Sequence, residues 1–225
     1  MSLPILDHQQ TECYNSRTHM DIDPFIQNAA KPVGNDGEAI LLRMNQSHAE
    51  LAAWGFSHVQ PAADADTLDV GCGGGMNLRT LLQLCPRGTA TGIDYSTTSV
   101  RVSEQTNAEA IAAGRCRVLR ADVSRLPFAD ASFDLATAYE TLYFWPDPVA
   151  GLSEIRRVLR PGGSILICHE ADGSRPGDDL WPEKIPGMRV YSAGQLCELL
   201  TAAGFTHIAT DSGPRQGWVV ATAKA

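Results

Sequence analysis

Three acids and a run of glycines stand at spacings that imply chemistry. Leu68-Asp69-Val70 reads as an apolar strand, Gly71-Cys72-Gly73-Gly74-Gly75 as a turn, and Met76-Asn77-Leu78-Arg79-Thr80-Leu81-Leu82 as a helix start. Gly71, Gly73 and Gly75 lack the Cβ that keeps a ligand off the backbone, so the turn can press bare amides against a nucleotide-type cofactor. A dinucleotide fingerprint needs its third glycine at position 76, where Met76 stands. Asp94 ends the next apolar segment, 19 residues after Gly75. A carboxylate there can accept both hydroxyls of a ribose. Tyr95 follows, either against an adenine or as an exposed turn tyrosine. Cys72 fits beside the glycines as a small packing residue better than as a nucleophile.

Asp69-x-Gly71-x-Gly73-x-Gly75 resembles the first motif of class I S-adenosylmethionine-dependent methyltransferases. Asp122-Val123-Ser124-Arg125-Leu126-Pro127-Phe128 followed by Ser132-Phe133-Asp134, and then Leu159-Arg160-Pro161-Gly162-Gly163, resemble later segments of the same family in order and spacing. The likeness is strong over residues 62–170 and weaker over 190–225. It is greatest to the small-molecule group that includes ubiquinone and menaquinone biosynthesis C-methyltransferases. It implies that Asp69 contacts the methionyl amino group and that the backbone of Gly71, Cys72, Gly73 and Gly75 lies along methionine and ribose. It further implies that Asp122 meets the adenine amine and the Val123 amide a ring nitrogen. S-adenosylmethionine is then the cofactor, S-adenosylhomocysteine the product, and no metal is expected. A non-catalytic S-adenosylmethionine-binding or sensing protein is the competing reading, since no obligatory base stands out. Met76 disfavours a third, an NAD-dependent oxidoreductase.

Methyl transfer is an in-line displacement that alignment can accelerate, so the acceptor pocket should be shaped, dry and sparsely polar. Tyr139-Glu140-Thr141-Leu142-Tyr143-Phe144-Trp145, after the fourth expected strand, suits that demand. Tyr139 falls at the strand end beside the cofactor. Phe144 and Trp145 read as core, and Tyr143 as the aromatic facing the pocket. Glu140 reads as an acceptor-orienting carboxylate or a base, a role open to His169-Glu170 too; ordinary strand-end hydrogen bonding is the alternative for each. Residues 171–190 form a connection too long for a simple turn and are expected to wall the acceptor site.

The elements that must position these residues alternate from Asp66 onward. Strands are expected near 66–70, 89–94, 116–121, 133–138, 164–169, 206–211 and 217–223, and helices near 76–85, 96–113, 148–159 and 192–203. This is a Rossmann-like α/β pattern: a mainly parallel seven-stranded sheet covered on both faces, its last strand inserted antiparallel beside the fifth. Asp147 before Pro148 suits an N-cap, and Ser192 with Gln195 a capping box. Residues 1–60 are expected to form a helical cap, and 61–225 the cofactor domain. A helix from Asp36 to about Trp54 carries an apolar stripe with His48 within it and Asn45 at its edge. Either both are satisfied core groups, or the helix lids the pocket and offers both to ligand.

At 225 residues and 44% hydrophobic the chain can bury one good core. A net charge of −8 disfavours a polyanionic partner, and no Asn/Asp/Ser-Pro-Pro-aromatic motif follows the fourth strand. A small-molecule acceptor is the expected partner, with no nucleic acid. The six cysteines show no metal-ligand spacing and read as reduced thiols. With no apolar run of membrane length and no signal pattern, a cytoplasmic protein without membrane insertion is expected.

Overall fold

The computed structural model describes residues 28–225. The two-residue periodicity of the strands resolves into one sheet of seven strands, in the order β3-β2-β1-β4-β5-β7-β6. These are β1 (Thr67–Val70), β2 (Ala90–Asp94), β3 (Cys116–Arg120), β4 (Phe133–Tyr139), β5 (Leu159–His169), β6 (Thr206–Ser212) and β7 (Val219–Lys224). Strands β1 to β5 pair in parallel, and β7 lies antiparallel between β5 and β6, as expected. All four residues of β1 are buried, as a strand covered on both faces requires.

Side-chain alternation splits the core into two layers. Leu68, Ala136, Ile165 and Ile167 face α6 (Pro148–Val158) and α7 (Ala193–Ala202). Leu135, Tyr139, Leu166 and Cys168 face Leu51, Phe56 and Leu78 of the helices on the other side. Winding reverses between β1 and β4, and open sheets of this type bind ligands beyond the strand ends at such a reversal. The expected caps are present: Asp147 accepts the Ala150 amide, and Ser192 and Gln195 form a reciprocal capping box.

Three boundaries differ from the sequence expectation. The helix expected from Asp36 is two, α1 (Gly34–Ser47) and α2 (Ala49–Phe56), with His48 at the joint (φ −92°, ψ 4°) and Asp36 in the first turn, not at the N-cap. The bend lets Ile40 and Leu41 of α1 and Leu51 and Phe56 of α2 all reach the interior. The helix expected over 96–113 also divides, into α4 (Thr97–Thr106) and α5 (Ala108–Ala112). Asn107 at that break spends its amide on the Gly75 and Ser103 carbonyls. β5 starts five residues early at Leu159, which pairs with Phe133 before a register shift restores the ladder at Leu135–Ser164.

The Asn107 contact fixes the start of α3 (Met76–Leu84), whose N-cap Gly75 has φ +81°. A Cβ on Gly75 would meet Ser103 Oγ at 2.5 Å and Asn107 Nδ2 at 2.6 Å. Gly75→Ala is therefore expected to cost about 2 kcal/mol or more through left-handed strain and this clash, measurable by urea unfolding.

Candidate cofactor and acceptor site

The turn after β1 and the segment after β4 face each other across the winding reversal, roofed by α1 and α2. Between them lies a cavity of about 240 Å³ lined by Gly71, Cys72, Gly73, Tyr139, Asn45 and Leu51, among others. A second cavity of about 340 Å³ lies beside it, walled by Ile40, Phe144, Glu170, Trp181, Ile185 and Met188. Met44, His48 and Glu140 line both, so they form the partition. Trp181, Ile185 and Met188 come from the 171–190 connection.

Beneath the glycine turn Asp69 lies fully buried and does not line the cavity. Its Oδ1 accepts the hydroxyl of Thr137, its cross-strand neighbour, at 2.6 Å, while Oδ2 has no partner among the described residues. Burial raises this carboxyl to about 7 against the opposing hydrogen bond, with the nearby Asp94 charge adding to the rise. Asp94 does not line the cavity; its carboxylate accepts the Gly73 amide at 3.0 Å and the Ser96 amide at 2.8 Å, fixing the turn. Asp122 is exposed and accepts from the Ser124 amide at 2.9 Å, with Val123 half-buried beside it. Tyr95 is partly exposed, its hydroxyl donating to the Ala30 carbonyl and Lys31 lying over its ring. The Cys72 thiol is buried, donates to Ser103 Oγ and is pushed up by burial, which makes it a poor nucleophile. Asn45 Nδ2 reaches the Gly74 carbonyl at 3.4 Å, tying α1 to the turn.

The partition is carboxylate-rich. Glu140 adopts φ +55°, a left-handed conformation costly for a residue with a Cβ. Its Oε1 accepts the Glu170 amide at 2.6 Å and the Tyr143 hydroxyl at 3.4 Å, contacts that hold it there. Burial pushes Glu140 up to about 8, although His48 opposes the shift. His48 Nε2 stands 3.8 Å from Glu170 Oε1, an ion-pair distance longer than a hydrogen bond. Burial by itself would lower the imidazole, but Glu170 and Glu140 outweigh it and leave His48 raised, while His48 holds Glu170 below the usual carboxylate range. One ligand atom from each of His48, Glu140 and Glu170 lies within 4.8 Å of the others, a spacing that a cation could share.

Two acceptor-side expectations change. His169 lines neither cavity; it is fully buried, stacks on Tyr143 at 4.1 Å between centroids, and has no partner for either ring nitrogen among the described residues. Strand alternation sends it to the same face as Ile165 and Ile167, and burial drops it to about 3, so it stays neutral. Glu170, one residue past the strand, turns into the cavity instead. Tyr143 does wall the second cavity, but its hydroxyl is bound to the Ala171 backbone and it acts as a brace for Glu140. Sequence reasoning missed Thr137 and Met44, since a buried threonine and a helical methionine look like ordinary core.

Residues 68–167 match a protein family described as a methyltransferase domain. The chain is 35% identical over 154 residues to an O-methyltransferase of Pyrenophora dematioidea, covering 67% of this chain and 57% of that one. It is 30% identical over 122 residues to the demethylmenaquinone methyltransferase of Lactiplantibacillus plantarum, covering 54% and 52%. Residues 68–167 carry a class I S-adenosylmethionine-dependent methyltransferase domain. A solved S-adenosylmethionine-dependent methyltransferase from Aquifex aeolicus shares its fold, with a TM-score of 0.69 at 20% identity over 83% of this chain and 97% of that one. The chain spans a little over half the length of the first of these relatives and about half of the second. No helix among the described residues is long and apolar enough to cross a membrane.

The residues of this methyltransferase domain fit the family's cofactor. A buried carboxylate oxygen on Asp69 without a partner among the described residues suits a cationic group, and a Cβ on Gly73 would meet Leu41 at an ordinary contact distance of 3.5 Å and leave the turn otherwise uncrowded. The raised Glu140 carboxyl supplies a test of the partition. Its contribution to folding is fully present below its unfolded value near 4.5 and is lost as pH rises towards about 8. Urea unfolding at pH 5 and pH 8 should therefore show Glu140→Gln gaining stability relative to the parent at the higher pH.

Proposed function

We propose that this chain transfers a methyl group from S-adenosylmethionine to a small-molecule acceptor. The observation that carries the reading is the shared partition: a cofactor-type cavity over the glycine turn and a largely apolar cavity beside it meet at Met44, His48 and Glu140. An in-line displacement needs two such compartments in contact, with the reacting atoms near attack distance at the wall. The O-methyltransferase relative supports a small acceptor. S-adenosylmethionine supplies a methyl carbon made electrophilic by its sulfonium.

The chain's own residues do the rest. Asp69 receives the ammonium of the methionyl part, and Gly71, Cys72, Gly73 and Gly75 offer backbone along methionine and ribose. Asp94 serves the ribose from beside the turn it already holds; Asp122, Val123 and Tyr95 edge the adenine side, and Tyr139 closes the floor. Tyr143 and the Glu170 amide hold Glu140, which near neutral pH is largely protonated and can donate a hydrogen bond to the acceptor. Residues 28–60 act as a cap over the 61–225 domain, with Asn45 and His48 on its inner side; the rest of the expected 1–60 cap, residues 1–27, lies outside the described residues.

Asp69 sits near half-ionisation at neutral pH, and a cation beside it would lower its pKa. Binding should then expel a proton below about pH 7, so affinity falls as pH falls. Calorimetry in two buffers of different ionisation enthalpy should show that release in the parent and lose it in Asp69→Asn. Asp94→Ala is expected to weaken S-adenosylmethionine by about 1.5 to 3 kcal/mol, and Gly73→Val to abolish binding. Unchanged affinity in a folded Gly73→Val would remove the cofactor from this turn. Hydrogen exchange across residues 36–56 should slow with S-adenosylhomocysteine if α1 and α2 close over it; equal rates would make them static packing.

A further inference from the structure

We infer that His48, positioned by Glu170, is the proton acceptor for a hydroxyl-bearing, largely apolar substrate held in the cavity beneath Trp181 and Met188, so that the methyl is delivered to oxygen. The inference rests on the methyl-transfer reading and assigns the acceptor atom and the base within it.

Position argues first. His48 belongs to the wall between the two cavities, where the accepting atom must stand. Its backbone is held from both sides of the helix joint: its amide donates to the Met44 carbonyl at 3.0 Å, and its carbonyl accepts the Ala52 amide at 2.8 Å. The titratable groups around the ring come from three elements: Glu140 after β4, Glu170 after β5, and Tyr143 of the 3₁₀ turn Leu142–Phe144, with Arg43 of α1 in the same cavity. The two carboxyl groups outweigh the effect of burial, and the net result is a more basic ring.

The other candidates are poorly suited. Glu140 has Oε1 committed to the Glu170 amide and is pushed up to about 8 by burial, so it favours the acid form. Tyr143 is buried and its phenol is raised, Cys72 sits under the glycine turn, and His169 lines neither cavity. Glu170 lies on the cavity wall but is held below the usual carboxylate range, so it accepts protons weakly. An imidazole backed by a carboxylate is the arrangement in which the acid steadies the charge that the ring acquires.

The chemistry of the base then selects the acceptor. An imidazole is far too weak to strip an alkylammonium, but it can take a hydroxyl proton while the oxygen is losing it to bond formation. As the new O–C bond forms, the S–C bond breaks and its electron pair stays on sulfur. The O–H proton passes to His48, giving a methyl ether, a neutral thioether and an imidazolium facing Glu170. The His48 side chain keeps 24% of its surface exposed, which lets that proton leave to water.

The test combines a titration with transfer assays. Histidine labelled with ¹³C at Cε1 reports the His48 ring by NMR without cofactor or substrate; its pKa should lie above 6.5 in the parent and fall by about one unit in Glu170→Gln. Radiolabelled S-adenosylmethionine is then offered with a panel of hydroxynaphthalenes, hydroxyquinolines and their amino counterparts. Label should enter oxygen. His48→Gln should lower kcat about 100-fold or more with S-adenosylhomocysteine affinity within about threefold. The rate should rise with pH through the His48 pKa, an acid limb that moves to lower pH in Glu170→Gln and back towards the parent in Glu170→Asp. Parental transfer by folded His48→Gln, label on nitrogen or carbon, or a His48 pKa indifferent to Glu170→Gln overturns the assignment. So does transfer abolished by EDTA and restored by Mg²⁺ or Mn²⁺, which would make the cluster a cation site. If the parent binds S-adenosylhomocysteine but transfers to nothing, the methyl-transfer reading falls and this inference with it.

Discussion

Acidic groups held out of water around one cleft are the constraint on which the structure turns. Asp69, Asp94 and Glu140 lie at the carboxyl ends of β1, β2 and β4, and burial raises all three. Among the described residues, neither lysine nor arginine lines the cavity over the glycine turn. Each acid is held instead by neutral donors: a threonine hydroxyl for Asp69, backbone amides for Asp94 and Glu140. Such partners bring no positive charge of their own, so an arriving cation would draw Asp69 towards its ionised form, a response that an anion would not obtain.

The sheet order brings these groups together. Because winding reverses between β1 and β4, the turn that follows one and the segment that follows the other have no crossover helix between them, and α1 and α2 fill the gap. The joint at His48 matters here: a continuous helix could not bury Leu41 over the glycine turn and Phe56 against Tyr139 together. The core packing of the cap and the direction of the His48 ring therefore share one cause.

Much of this was legible in the sequence. Strand–helix alternation was enough for the mainly parallel seven-stranded sheet and for the antiparallel last strand beside the fifth. Asp147, Ser192 and Gln195 were readable because capping is local chemistry within four residues. What escaped was decided by contacts between distant segments. Nothing near Asn107 signals that its amide will bind the Gly75 carbonyl and split a helix. Likewise, choosing between His169 and Glu170 needed the residue at which β5 ends, since one step along a strand reverses the face. Asp94 illustrates a finer limit: its place was readable, but its carboxylate spends itself first on the turn's own amides.

The left-handed backbone at Glu140 has an evolutionary side. Glycine would occupy φ +55° without strain, and removing the carboxyl would also lift the burden of keeping an acid out of water. A population screened only for thermal tolerance would thus drift towards Glu140→Gly, and under the proposed role it would shed turnover as it did so. Position 140 is where robustness and usefulness compete for a single dihedral angle.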